Sequence, residues 1–312
     1  MDSMILAFNA VFPLLAFMLL GFFLRSIKLL DEKTASGINK LVFKVFLPLS
    51  IFQSVYNADI RSAFDIKVAL YVALTCVLTY IIIALLFRRS EKDLTVRPVM
   101  VQGIHKANYN LLAIPIITSF FGNEIGMTAV LIIIITPIVN ICSTIAFESA
   151  RGGSASLPKM IKKIILNPMV LSSLLGLLVN ISGIKIPALI MSSVVSKLAA
   201  MATPAAMLAL GAGFNVSSVK KWLKHLGVVC AGKLVIMPLL LVAGAALLGI
   251  RGADLIAVLI YSGSPTAVNS YSTAVSMGGN EELAGEIVAV TSLLSVITLF
   301  CFLTVMGSLG LL

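Results

Sequence analysis

Charge is scarce in this sequence. Only 12% of its 312 residues are charged, about half the share of a soluble globular chain. That scarcity excludes a soluble enzyme, a disordered chain and a charge-laced coiled coil. Aromatic residues reach only 7%, and no run alternates polar and apolar residues between turns, which excludes an outer-membrane β-barrel. There are two histidines and four cysteines. Cys76, Cys142, Cys230 and Cys301 are far apart, each within an apolar run and without a flanking histidine. They offer no zinc or redox spacing and read as small buried apolar residues. No Gly-rich phosphate loop, nucleophile elbow or metal-ligand spacing occurs, so no enzyme activity, cofactor, metal or ATP drive is expected.

What the chain has is long, continuous apolar sequence. It is 59% hydrophobic, with a mean hydropathy of +1.08. A bilayer-crossing helix needs about 20 such residues, and a polar backbone in lipid must be satisfied within the helix. The fold class expected is therefore an all-α integral membrane protein with ten transmembrane helices. The expected spans are 4–25, 37–56, 66–87, 96–121, 125–147, 167–183, 187–214, 226–249, 253–277 and 284–309. The first has acidic Asp2 before it and Arg25 and Lys28 behind it, the reverse of a cleavable signal.

The net charge is +10. In a membrane chain this is sorted by side and does not point to nucleic acid. The odd-numbered connections carry fifteen Lys and Arg, clustered at Arg25–Lys40, Arg88–Arg97, Arg151–Lys163 and Lys220–Lys224. The even-numbered ones carry four, Arg61, Lys67, Lys185 and Arg251. The positive-inside rule makes the odd side cytoplasmic and both termini extracytoplasmic, in a multi-pass protein of the cell membrane.

The two halves repeat. Pro13–Gly21 matches Pro168–Gly176, Pro48–Asp59 matches Pro204–Asn215, and Gly122-Asn123-Glu124 matches Gly279-Asn280-Glu281, at offsets of 155, 156 and 157. Five spans per half is an odd number, so the second repeat is inverted, a pattern of secondary transporters with a midplane site. The expected organisation is a five-helix repeat at 1–147, a cytoplasmic linker at 148–166 and an inverted repeat at 167–312.

Polar residues concentrate in the fourth span (Gln102, His105, Lys106, Asn108, Asn110) and in its counterpart, the ninth (Ser264, Thr266, Asn269, Ser270). Pro115 and Pro265 lie in these stretches and predict that both helices are broken. The second half of each broken helix would present a partly positive N-terminus at the midplane. With Lys106 nearby and almost no intramembrane acid, an organic anion suits the site better than a cation. Lys44, Lys197 and Lys233 are expected to snorkel. Asn123 and Asn280 read as helix caps. His105 and His225 have no acid at usable sequence spacing.

Read together, the run Asn108 to Pro115 closing at Gly122, Asn167-Pro168 with Gly176, Leu248 to Gly252 followed by Pro265, and Pro48-Leu-Ser50 resembles the auxin efflux carrier family, which includes plant PIN-type carriers. The resemblance implies two inverted five-helix repeats. It also implies that helices 1, 2, 6 and 7 form a scaffold that homodimerises, and that a transport domain contains crossed, broken helices 4 and 9. It places substrate contacts at Asn108 and near Ser50, and crossover prolines at Pro115 and Pro265. The central connection is short, unlike the long loop of plant members, so auxin is not the expected physiological substrate. The substrate-binding set expected here is Asn108, Lys106, Asn110, Pro115, Ser50, Pro265, Thr266 and Asn269. The function expected is secondary transport of small organic anions, auxin-like or dicarboxylate, by alternating access of elevator type, with a proton or sodium as possible coupling ion. A membrane-embedded carboxylate sensor or binding module and a passive anion channel remain the alternatives.

Overall fold

A computed structural model of the chain describes residues 2–57, 65–121, 127–150, 162, 165–213 and 216–312. The Gly122-Asn123-Glu124 cap and most of the 148–166 linker lie outside these residues. Every named element is helical. The first half contains α1 (Asp2–Ser26), α2 (Glu32–Leu41), α3 (Leu47–Tyr56), α4 (Ile66–Ser90), α5 (Val96–His105), α6 (Tyr109–Phe121) and α7 (Thr128–Ala150). The second contains α8 (Pro168–Ser182), α9 (Ala188–Ile190), α10 (Ser196–Ala200), α11 (Ala202–Gly213), α12 (Val216–Lys221), α13 (Leu223–Ala231), α14 (Met237–Leu247), α15 (Gly252–Gly263), α16 (Asn269–Met277) and α17 (Glu281–Ser308). Among the described residues, six helical stretches are long and apolar enough to cross a bilayer: Lys33–Tyr56, Ile66–Ser90, Val130–Ala150, Ala188–Gly213, Leu223–Leu247 and Glu281–Ser308.

The helix ends follow from local chemistry. Asp31, Asp65, Asn167 and Asn280 each accept a backbone N–H of the first turn that follows, satisfying donors that the helix itself leaves free. Asn280 is thus the cap its Gly-Asn-Glu setting predicts. Gly183 and Gly278 end α8 and α16 with positive φ, a conformation that favours glycine. Wider π-helical turns occupy Val42–Phe46, Met191–Val195 and Gly232–Ile236. The first and third precede Pro48 and Pro238. A proline donates no N–H and crowds the carbonyl four residues back, and a π turn absorbs that mismatch.

Packing separates lipid-facing from interior helices. On α4, Leu70, Leu74, Leu78, Ile81 and Leu85 are exposed, which leaves an apolar stripe for lipid. By contrast, every residue from Leu255 to Gly263 on α15 is buried. The closest helix approaches use glycine. A methyl group on Gly21 of α1 would overlap the Leu208 backbone of α11, and one on Gly211 would overlap Met18. Gly176 of α8 sits similarly against α3, where a methyl would lie 3.0 Å from the Phe52 carbonyl oxygen. In the sequence repeat Gly21 corresponds to Gly176, and Phe52 to Leu208, so the same glycine contact occurs in both pairs.

The connections also sort by end. At one end the Asn280 amide donates to the Thr95 carbonyl at 2.9 Å. Glu282 accepts from Lys221 Nζ and Trp222 Nε1. His225 Nε2 lies 3.2 Å from Glu91, so this histidine does have an acid partner, 134 residues away in sequence. At the other end the Met127 amide donates to Asp254 at 2.8 Å, Ile186 to the Tyr56 hydroxyl at 3.1 Å and Gly252 to the Leu311 carbonyl at 3.0 Å.

Candidate functional site

Two helices stop in the interior and restart. α5 ends at His105 and α6 begins at Tyr109; α15 ends at Gly263 and α16 begins at Asn269. The interruptions meet. Ala107 and Thr266 form an antiparallel bridge, in which the Asn108 amide donates to the Pro265 carbonyl and the Ala267 amide to the Lys106 carbonyl, both at 3.0 Å. Backbone groups that leave the helical ladder therefore satisfy one another, as burial demands. Thr266 fastens the crossing: its hydroxyl donates to the Gly103 carbonyl at 2.7 Å and its amide to Thr291 Oγ1 at 3.1 Å.

Pro265 lies in its interruption, but Pro115 does not. Pro115 falls within α6, and the first break is at Lys106–Asn108. A proline inside a helix deletes one hydrogen bond and need not end it. The exchange of backbone bonds with 265–267 places the break instead.

A cavity of about 160 Å³ lies beside the bridge, enough for several waters or a small metabolite. Its walls come from both interruptions (Lys106–Tyr109 and Ala267–Asn269), α3 (Ser50, Ser54), α7 (Thr136, Asn140) and α11 (Thr203). Lys106 is the one charged residue among those lining it, and no carboxylate is among them. The first residues of α6 and α16, Tyr109 and Asn269, both line it, so two positive helix-dipole ends face it; the next two amides of α16, those of Ser270 and Tyr271, bond back to Ala267 and Val268. Asn108 Nδ2 and Asn269 Oδ1 are buried without a hydrogen-bond partner among the described residues, so each has capacity for a ligand.

The cavity brings together four of the expected residues, Lys106, Asn108, Asn269 and Ser50. Thr266 is buried behind it with its hydroxyl committed to Gly103, and Pro265 contributes a carbonyl to the bridge. Asn110 and Pro115 lie in α6, beyond the break. Sequence reading missed Asn140, 2% exposed, whose Nδ2 donates to Ser173 at 3.2 Å while its Oδ1 is unpartnered. Its signal was an amide alone in the apolar fifth span. Ser54, Thr136 and Thr203 carried none, since hydroxyls are common within membrane helices, where they bond the preceding turn.

Two other interior expectations change. Lys44 and Lys197 are exposed, but Lys233 is fully buried and donates to the Tyr261 carbonyl at 3.3 Å. Cys76 and Cys142 are buried, whereas Cys230 is partly exposed and Cys301 exposed; all four are free. A second cavity, about 740 Å³, lies between α1, α2 and α11 on one side and α16 and α17 on the other. Glu281, Glu282 and Glu286 outnumber Arg25 in its lining, which makes it a poor anion site.

A family described as "Membrane transport protein" matches the chain twice, over residues 6–158 and 153–303. An "Uncharacterized transporter" of Methanothermobacter thermautotrophicus is 25% identical over 298 residues, covering 93% of this chain and 95% of that protein. A protein of Rhizobium meliloti (strain 1021) named "Putative malonate transporter" is 24% identical over 309 residues, covering 92% of each. These matches extend over nearly the whole chain and agree with its apolar helices. The chain belongs to this membrane transport protein family, the auxin efflux carriers, and is a transporter, not an enzyme.

Proposed function

We propose that the chain is a secondary carrier for small carboxylates, with a short dicarboxylate such as malonate as the first substrate to test. One observation carries this reading: an interior cavity whose single charged lining residue is Lys106, facing two helix N-termini and no carboxylate. The Lys106 amine and two positive helix ends in a low-dielectric site favour an anion, and the unpartnered Nδ2 of Asn108 can donate to it. The name of the Rhizobium relative points to the same substrate class.

Transport proceeds by alternating access of elevator type. The crossed segments α5–α6 and α15–α16 move with their neighbours against a scaffold of α1, α2–α3, α8 and α9–α11, and the scaffold pairs as a homodimer. Residues 1–147 and 167–312 act as inverted five-helix repeats joined by the cytoplasmic linker 148–166. The double family match, the repeated glycine contact and the sorting of connections by end support this arrangement. The test is uptake of radiolabelled malonate into proteoliposomes. Saturable uptake with counterflow is expected; flux that rises linearly with concentration, without counterflow, would indicate a channel, and binding without flux a sensor.

A further inference from the structure

Pro265 has a second consequence. It cannot supply the amide that would bond to the carbonyl four residues earlier, that of Tyr261. Lys233 Nζ donates to this carbonyl. The lysine approaches from the π turn Gly232–Ile236, a distortion that often marks functional positions, and it is fully buried. Its Nζ therefore sits at the C-terminal end of α15, where the helix dipole is negative. Half-helix C-termini and unwound carbonyls are where secondary transporters hold coupling cations.

Among the described residues, no acid beside Lys233 compensates its charge. α5 and α15 pack against the π turn, as does α17. From α5 come His105 and, just beyond it, Lys106; α15 contributes Tyr261. Cys76 of α4 also lies within electrostatic reach of the amine. His105 is within reach of both lysines, and its ring nitrogens are buried without a hydrogen-bond partner among the described residues. Ile287 of α17 packs against Gly103 of α5 in this region, while Glu286 lines the second cavity. No carboxylate pairs with Lys233 among the described residues. Desolvation opposes the ammonium form; the dipole and the Tyr261 carbonyl favour it. Both lysines act on the same His105, so an anion bound beside Lys106 adds negative charge to surroundings that Lys233 shares and tips this balance toward the protonated form.

We propose that Lys233 is the proton-coupling site of the carrier, a reading that rests on the proposed carboxylate transport. As the anion enters, the Nζ lone pair takes a proton from the open aqueous side, and one N–H bond forms. When the anion leaves on the opposite side, that bond breaks and the proton leaves with it. No other bond changes, and sodium has no role because the lysine occupies the place a bound cation would take.

The test is malonate transport in proteoliposomes with an imposed pH gradient, beside malonate counterflow without one. One coupled proton allows steady-state accumulation to rise up to about tenfold per pH unit. Wild type should show this rise, and it should be unaffected by sodium. Lys233→Arg keeps a donor for Tyr261 but stays charged; it should retain counterflow and lose the gradient effect. Lys233→Met should do the same if it folds, and the arginine variant decides if it does not. His105→Gln should keep the gradient effect. Gradient-driven accumulation that survives in Lys233→Arg overturns the proposal, as does loss of it in His105→Gln alone. Wild-type counterflow with no response to pH overturns proton coupling and leaves the carrier reading intact. Absence of both flux and counterflow in wild type refutes the carrier reading itself.

Discussion

At the residue scale, the geometry of the first interruption decides how Lys106 and Asn108 share work. In a regular helix, positions two apart point about 200° from one another. Here Lys106 has extended φ and ψ, and in extended chain alternate residues share a face. Both line the cavity, so both are expected to touch substrate. A hydrogen bond to a charged group is worth about 1.5–3 kcal/mol, or roughly tenfold to a hundredfold in affinity. Asn108→Ala and Lys106→Gln should each weaken malonate binding by that order, measured calorimetrically on purified protein. Because Lys106 is buried, its effect should persist at high salt. Parent-like binding by either variant would remove that residue from the site. Thr266 should behave differently. Thr266→Val removes the donor to Gly103 and leaves a buried carbonyl short of a partner, at a cost of about 1–3 kcal/mol. Lower thermal stability with nearly unchanged malonate affinity is the expected outcome; a large affinity loss at parent stability would put Thr266 in contact with substrate.

At the element scale, the structure rests on close helix approaches at glycine and on helices that stop inside the protein. Gly211→Ala forces α1 from α11, because the clash is with backbone and cannot be relieved by a rotamer change. It should cost at least the ~1–3 kcal/mol of an overpacked core. Gly37 is the control: it lies in α2 with open space around it, and Gly37→Ala should stabilise by about 0.5–1 kcal/mol. Melting temperatures of the two variants in one detergent should move in opposite directions. The same elements show what the sequence made legible. Hydropathy located apolar helices, six of them long and apolar enough to cross a bilayer among the described residues, because lipid demands apolar side chains over the length of a span, and polar clusters marked the two segments that meet at the Ala107–Thr266 bridge. Capping chemistry identified Asn280 because the cap is local. The exact break in the fourth span was not legible: it depends on bonds between 106–108 and 265–267, and Pro115 was the nearer visible signal. Lys233 was misread because snorkelling is the usual resort of a membrane lysine, and only the orphaned Tyr261 carbonyl explains its burial. The His225–Glu91 pair is a tertiary contact with no sequence spacing to reveal it.

At the scale of the whole molecule, the proposed motion makes one direct demand: contacts between the two bodies must break in each cycle, while contacts within a body persist. Ser272 Oγ of α16 donates to Asn39 Oδ1 of α2 at 2.6 Å, a bond between the proposed moving domain and the proposed scaffold. Gln53 Nε2 of α3 donates to Ser196 Oγ of α10 at 2.6 Å, a bond within the scaffold. After replacement of the four native cysteines, Asn39→Cys with Ser272→Cys gives a cross-linkable pair across the boundary. Gln53→Cys with Ser196→Cys gives one inside the scaffold. A short thiol cross-linker should arrest malonate counterflow in the first pair, with recovery on cleavage of the linker, and should leave the second pair within about twofold of its unlinked rate. Both bonds are partly or fully buried polar contacts of similar length, so their loss on mutation is similar and only the cross-link distinguishes them. Equal inhibition of both pairs would mean that the two bodies are not separate, and full activity of the linked Asn39–Ser272 pair would rule out sliding at this boundary. Sidedness follows from the same preparation. With the odd-numbered connections cytoplasmic, Lys185→Cys should react with an impermeant maleimide added to intact cells and Lys224→Cys should not. Both residues are exposed, so protection can come only from the membrane, and the reverse labelling pattern would invert the topology without affecting the carrier mechanism.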